Sequence, residues 1–257
     1  MQKSRLSLNA ANLKWIAIIS MLIDHMAAVL VPTIMLLVLP KGDNLESAWD
    51  TWNRAYILLR GIGRIAFPLY AFMLVEGFYY TRNVWKYLGR LLVFSLISEL
   101  PFNYAFSGGV WIDTSSRNVF FTLSIALLSM IGLKALSDKK EQLGIWNYPL
   151  SVGLIAVAFA IAQILNTDYG GYGVLLILVL YFFRDDKVVY RDIFYAVALS
   201  LIAANSSEIE LVALLDIVLF HCYNRQKGKT ISKYFFYLFY PIHLIILGLI
   251  RHLIMMA

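Results

Sequence analysis

The chain has 257 residues, of which 60% are hydrophobic and only 15% are charged, whereas a soluble domain carries about 25% charged residues. Its formal net charge is +6, and its one cysteine, Cys222, excludes an intrachain disulfide and any cysteine-rich metal site. Because apolar runs recur from end to end, we predict an all-α, polytopic transmembrane helical bundle that forms a single domain over residues 1–257.

A helix that crosses the hydrocarbon of a bilayer needs roughly 20 residues. The first predicted span is retained and is not a cleaved signal peptide, since Asp24 and His25 interrupt its apolar stretch. Residues 168–173 are predicted to form a turn that leads into the sixth span. Two spans, 170–184 and 192–204, are short, so a tilted, re-entrant or broken pair stays open. The sequence predicts about nine spans, with about eight to ten compatible: 13–31, 57–78, 88–106, 119–136, 148–166, 170–184, 192–204, 208–223 and 234–254.

The segments that connect the predicted spans alternate along the chain between basic segments and segments with few basic residues. With the N-terminus in the cytoplasm, the acidic segment 205–210 faces outward. The longest outward segment, 41–56, is predicted to be an interfacial helix or cap. The basic segments all face the cytoplasm, at 82–90, 134–140, 184–191 and 225–233. The positive charge thus reflects membrane topology and does not predict a nucleic-acid partner.

Several predicted spans contain ionisable residues. Each costs roughly 2.5–3.5 kcal/mol at the bilayer centre, so such residues persist where they pair or function. Arg60 and Arg64 share a helix face. We predict that five of these residues meet in one layer, whether for chemistry or only as ion pairs that hold the bundle: Asp24, His25, Arg64, Glu99 and His243.

Lys14 and His25 are eleven residues apart in the first span, which returns the helix to within about 20° of the same face and separates them by about 16 Å. This spacing suits an elongated anionic ligand, with Lys14 on its phosphates and His25 at its reactive end. Acyl-coenzyme A has this shape. The alternatives are an interfacial anchoring role for Lys14 and a structural hydrogen bond for His25. Arg82, Lys86 and Arg90, spaced by four, are topology determinants or a second phosphate site.

Seven blocks of the sequence resemble, in the same order, the TraX family of bacterial multi-span membrane proteins. The named member of that family is associated with N-terminal acetylation of conjugative pilin. The family also resembles a wider group of membrane acyltransferases with an Arg/Lys-x10-His signature in the first span, which Lys14 and His25 match. The blocks are Leu13–His25 (LKWIAIISMLIDH), Arg64–Phe78 (RIAFPLYAFMLVEGF), Arg82–Val84 (RNV), Glu99–Phe102 (ELPF), Asn118–Thr122 (NVFFT), Asp168–Gly173 (DYGGYG) and Tyr237–Leu244 (YLFYPIHL).

The resemblance implies a multi-pass protein of the bacterial inner (plasma) membrane that acts as an acyltransferase, most simply an acetyltransferase. Its donor would be cytosolic acetyl-CoA, and its acceptor an amine or hydroxyl of an envelope peptide, protein or glycan. No metal is expected. His25 would be central to transfer, with Glu99 or His243 orienting its imidazole and Arg64 stabilising the oxyanion. The residues expected to bind the donor are Lys14, Arg60, Arg82 and Lys86.

Two other classes of function fit the same residues. A proton-coupled transporter could use the predicted polar layer as a relay. A non-catalytic assembly factor for an envelope protein would need the membrane-spanning helices but no catalytic residues.

Overall fold

The structure, a computed structural model, describes residues 7–39, 45–185, 188–229 and 232–256. Two short 3₁₀ helices, Gly144–Trp146 and Glu208–Leu215, interrupt the α-helices. The α-helices are α1 (Ala10–Val38), α2 (Leu45–Gly63), α3 (Ala66–Tyr80), α4 (Val84–Phe106), α5 (Val119–Asp138), α6 (Lys140–Leu143), α7 (Asn147–Ile164), α8 (Gly170–Phe182), α9 (Val188–Asn205), α10 (Asp216–Cys222) and α11 (Lys233–Met256).

Membrane crossing is supported by the length and apolar composition of these helices. Among the described residues, six stretches are long and apolar enough to span a bilayer: Ala10–Val38, Leu45–Tyr80, Val119–Asp138, Lys140–Ile164, Val188–Asn205 and Tyr234–Met256. A seventh, Gly170–Phe182, is apolar but shorter. Helix α4 has 23 residues but carries Lys86, Arg90 and Glu99. The predicted polytopic helical bundle is therefore confirmed.

The chain divides into two compact units, each built from separate stretches. Unit 1 comprises Met1–Tyr70, Leu100–Asp113 and Ser207–Ala257, and unit 2 comprises Ala71–Glu99 and Thr114–Ser206. In unit 1, α1 packs against α2 and α11. In unit 2, α8 packs against α5, α7 and α9. The single domain over residues 1–257 stays a prediction.

Helix α1 begins at a capping box, in which the side chains of Asn9 and Asn12 each accept a hydrogen bond from the other's backbone. The next free amides of its first turn are taken by a second segment of chain. Ala10 donates to the Gln226 carbonyl at 2.8 Å and Ala11 to the Lys227 carbonyl at 3.2 Å. The start of α1 is thus held by residues 222–228, which continue α10.

The predicted span 57–78 falls within the stretch Leu45–Tyr80, which is long and apolar enough to cross a bilayer, although it is not one continuous helix. Helix α2 ends at Gly63 and α3 begins at Ala66, with a turn at Arg64 and Ile65. Pro68 explains the break, since its ring lacks an N–H and collides with the carbonyl four residues earlier, that of Arg64. Residues 41–44 of the predicted interfacial segment lie outside the described residues, and 45–56 form the first turns of α2.

The predicted span 208–223 is also not one α-helix, because its first eight residues adopt the 3₁₀ form and only Asp216–Cys222 are α-helical. A 3₁₀ helix rises about 2.0 Å per residue, against about 1.5 Å for an α-helix. The segment therefore extends about 26 Å, close to the roughly 30 Å of the hydrocarbon core. The tighter winding lets a short sequence cover most of that thickness.

The predicted turn before α8 is present in unit 2. Tyr169 and Gly170 have left-handed φ values of 63° and 52°, and a side chain on Gly170 would collide with Gln163. Backbone bonds of 2.9 and 2.8 Å join Arg117 to Asn166 and Asp168. The turn is thereby fixed to the start of α5.

Candidate functional site

The two histidines of the site lie on α1 and α11, within unit 1. Nδ1 of His25 is 2.7 Å from Nε2 of His243, and the two rings are parallel to within 5°. A separation of 2.7 Å is shorter than the spacing of stacked rings, so the imidazoles lie side by side and share an in-plane hydrogen bond. The sequence analysis predicted that His25 and His243 lie close together, and they are in direct contact.

Hydrogen bonding determines which nitrogen carries each proton. Nδ1 of His243 lies 2.7 Å from the backbone carbonyl of Phe239, and because a carbonyl only accepts, this nitrogen holds the hydrogen. In the neutral ring, Nε2 of His243 is then an acceptor, and it accepts a hydrogen bond from Nδ1–H of His25. The arrangement leaves a lone pair on Nε2 of neutral His25.

Aromatic rings surround the pair. His25 contacts Phe106 edge-on at 5.3 Å and Tyr240 at 5.9 Å between ring centroids, while Phe239 lies 5.0 Å from His243. His243 is buried, at 5% exposed, but His25 is only half-buried. The ring that carries the free lone pair is therefore the less buried of the two.

A buried ion network lies beside the histidines on the same stretch of α1. Asp24 binds Arg60 at 2.6 Å and Arg64 at 2.5 Å, and Arg64 also binds Glu210 at 2.7 Å. The third nitrogen of Arg64, Nε, donates to the Arg60 carbonyl at 3.3 Å. Two cations and two carboxylates thus neutralise one another. A side chain on Gly63 would collide with Asp24, so the close approach of α2 to α1 depends on that glycine.

Glu210 is the residue of this network that sequence reasoning missed. The acidic segment 205–210 was predicted only to face outward, and Glu210 was not among the embedded charges singled out, yet it is 4% exposed and neutralises Arg64. Its neighbours Ile209 and Leu211 are both apolar. That flanking pattern was the available signal.

Lys14 lies near the start of α1, on the face predicted to be shared with His25. It is half-buried, and its Nζ lies 5.3 Å above the ring of Phe236. Among the described residues it forms no ion pair with a carboxylate. Arg60, the second predicted donor-binding residue of unit 1, is 25% exposed and uses Nη1 on Asp24.

The remaining predicted site residues belong to unit 2. Glu99 binds Arg117 at 2.9 Å and accepts a 2.6 Å hydrogen bond from the Asn118 side chain. Arg82 and Lys86 are exposed at the start of α4. The catalytic role of Glu99 and the donor-binding roles of Arg82 and Lys86 stay predictions.

Unit 2 also contains a second buried ion pair. Glu76, at 3% exposed, binds Arg184 at 2.6 Å, and the guanidinium lies 4.2 Å above the ring of Tyr79. Burial opposes the charge of Arg184, but the hydrogen bond and charge of Glu76 outweigh it and raise the pKa of Arg184. The pair neutralises the one acidic side chain of α3.

Comparisons with known proteins give two findings. The model of the TraX protein family matches residues 9–251. A "probable fimbrial assembly protein FimC, serogroup H1" from Dichelobacter nodosus is 34% identical over 259 residues, covering 93% of this chain and 94% of that protein. No solved structure matches this chain.

Proposed function

Because the chain belongs to the TraX family, we propose that it is an integral membrane acyltransferase, most simply an acetyltransferase. Its donor is acetyl-CoA from the cytosol, and its acceptor is an amine or hydroxyl of an envelope molecule. We place it in the bacterial inner membrane. The observation that carries this proposal is the hydrogen-bond chain from the Phe239 carbonyl through His243 to His25, which leaves a basic nitrogen on the less buried ring.

In the proposed reaction, Nε2 of His25 takes the proton of the acceptor amine or hydroxyl as that atom attacks the thioester carbonyl. The carbon–sulfur bond then breaks, and the coenzyme A sulfur leaves with the proton that His25 returns. His243 accepts from Nδ1–H of His25 throughout, so it stabilises the imidazolium that forms between the two steps. The same logic of a base held by a third group operates in other acyl-transfer sites.

The oxyanion of the tetrahedral intermediate needs a cation or a hydrogen-bond donor. Arg64 suits this role less well than its neighbour, because all three of its nitrogens are engaged by Asp24, Glu210 and a carbonyl. Arg60 uses only Nη1 on Asp24 among the described residues and is partly exposed. We therefore assign the oxyanion to Arg60.

The test is acetyl transfer from labelled acetyl-CoA by the protein in proteoliposomes. His25→Ala should lower the rate by about two orders of magnitude or more while the protein still folds and binds the donor. His243→Ala should lower the rate with little change in donor affinity, because His243 acts through His25. His252→Ala, an exposed histidine of the same helix α11, is the matched control. Near wild-type transfer by His25→Ala would contradict the mechanism.

A second candidate is a non-catalytic role in assembling a fimbrial or other envelope structure, which the printed name of the Dichelobacter nodosus relative favours. The two are separated by donor binding. An assembly factor needs no acyl-CoA, and its function should survive His25→Ala. If the purified wild-type protein binds no acetyl-CoA, the assembly role replaces the transferase.

A further inference from the structure

Lys227 belongs to a segment that is fixed against the start of α1. Leu8 donates to the Cys222 carbonyl at 2.8 Å and Asn224 donates back to Leu8 at 2.8 Å. Ala11 then donates to the carbonyl of Lys227 itself at 3.2 Å. The backbone of Lys227 is therefore held at a known position on the first turn of α1.

Lys14 is one turn further along the same face of α1, three residues after Ala11. Because Ala11 binds the Lys227 carbonyl, the backbone of Lys227 lies about one helical turn from Lys14, within the reach of two lysine side chains. Within the part of the chain that the structure describes, neither lysine forms an ion pair with a carboxylate. Two ammonium groups without a counter-ion repel each other, and water screens this repulsion only in part, because Lys227 is exposed but Lys14 is half-buried.

We propose that Lys14 and Lys227 together form a binding site for a phosphate-bearing ligand. The first-turn amides of Ala10, Ala11 and Asn12 are already taken by carbonyl and side-chain oxygens, so the side chains and not the helix N-terminus must hold the anion. Lysine ammonium groups suit phosphate as point charges. An anion bound between the two ammonium groups would offset their mutual repulsion.

The ligand has two possible sources, a soluble nucleotide-type cofactor or an anionic lipid headgroup. Identifying it as coenzyme A rests on the proposed function, which needs such a donor at the end of α1 opposite His25. Lys227 would then be the second cation on the coenzyme A phosphates. The lipid source needs only the two lysines.

Charge reversal at Lys227 gives a test with two opposite readouts. Lys227→Glu provides Lys14 with a carboxylate, so the ligand-free protein should melt about 1–3 °C higher, the small rise expected of an ion pair with one exposed partner. The same change should weaken phosphate binding by well over tenfold. Lys227→Met should weaken it by about tenfold, the loss expected for one charge-assisted hydrogen bond near water. Lys229→Glu, exposed two residues further on, is the matched control and should change neither quantity.

Two probes separate the sources. Coenzyme A is titrated beside pantetheine, which lacks its phosphates, and retention of phosphatidylglycerol is followed by native mass spectrometry. If Lys14→Met and Lys227→Met weaken coenzyme A but spare pantetheine, the cofactor occupies the site. If wild type binds no coenzyme A but both variants lose phosphatidylglycerol, the site stands and the proposed donor falls. If neither variant alters either ligand, or Lys227→Glu melts no higher than Lys229→Glu, the inference is overturned.

Discussion

Glu210→Ala probes the ion network that lies beside His25. In the wild type the carboxylate is 2.7 Å from Arg64, and the two side chains are 5% and 9% exposed. Removing this carboxylate leaves one carboxylate and two arginines in the network, with a net charge of about +1 in a buried site. Loss of one partner of a buried pair typically costs about 3–5 kcal/mol. Because Asp24 still binds Arg64 at 2.5 Å, we expect the lower end, about 3 kcal/mol of unfolding free energy.

The assay is reversible unfolding in mixed micelles, followed by circular dichroism, with Glu208→Ala as control. Glu208 is exposed and two residues away, so its loss should change stability by less than about 0.5 kcal/mol. A double-mutant cycle with Arg64→Met isolates the pair, and we expect a coupling energy of about 1–3 kcal/mol. A coupling energy near zero, or equal losses for Glu208→Ala and Glu210→Ala, would refute the account of the network.

Three further predictions test other parts of the molecule. Gly63→Ala should lower stability and transfer together, because the added methyl group collides with Asp24; paired melting and rate measurements check this. Glu99→Gln should lower the unfolding free energy by about 1.5–3 kcal/mol as Arg117 loses its carboxylate, whereas loss of transfer at unchanged stability would assign Glu99 to catalysis. Lys14→Arg should keep the affinity for coenzyme A within about threefold, since a point charge is needed there, and calorimetric titration would reveal a larger loss.

The sequence was most informative about ionisable residues in apolar spans, because the cost of an unpaired charge in hydrocarbon and the geometry of the helix both predict which residues lie close together. Ion pairs were expected within the predicted layer of embedded residues, and Asp24 does bind Arg64 of that layer as well as Arg60. His243 was one of two candidates for orienting His25, because His243 and His25 each lie near the middle of an apolar span. Neither inference needed the packing of the helices.

The misses share a different cause. The break at Arg64 lies within an unbroken apolar run, and Pro68 acts on the carbonyl four residues upstream, so periodicity does not reveal it. Glu210 follows a short polar turn, and its partner is 146 residues away. Arg117 was assigned to an outward segment, but it binds Glu99 of α4. The residues just before α5 lie next to α4 within unit 2, because Asn118 also contacts Glu99. Each depends on which segments the tertiary fold brings together.

The ion network also explains how His25 keeps its orientation. Asp24 is fixed by two arginines of the α2 end, which prevents α1 from rotating about its axis at that turn. His25 is the next residue, so a fixed Asp24 fixes the direction in which the imidazole leaves the helix. On its other side the ring is held by His243, whose own proton is bound by the Phe239 carbonyl. A network with no net charge thus positions an imidazole that stays chemically available, and an available ionisable group within an apolar span is one from which function is to be expected.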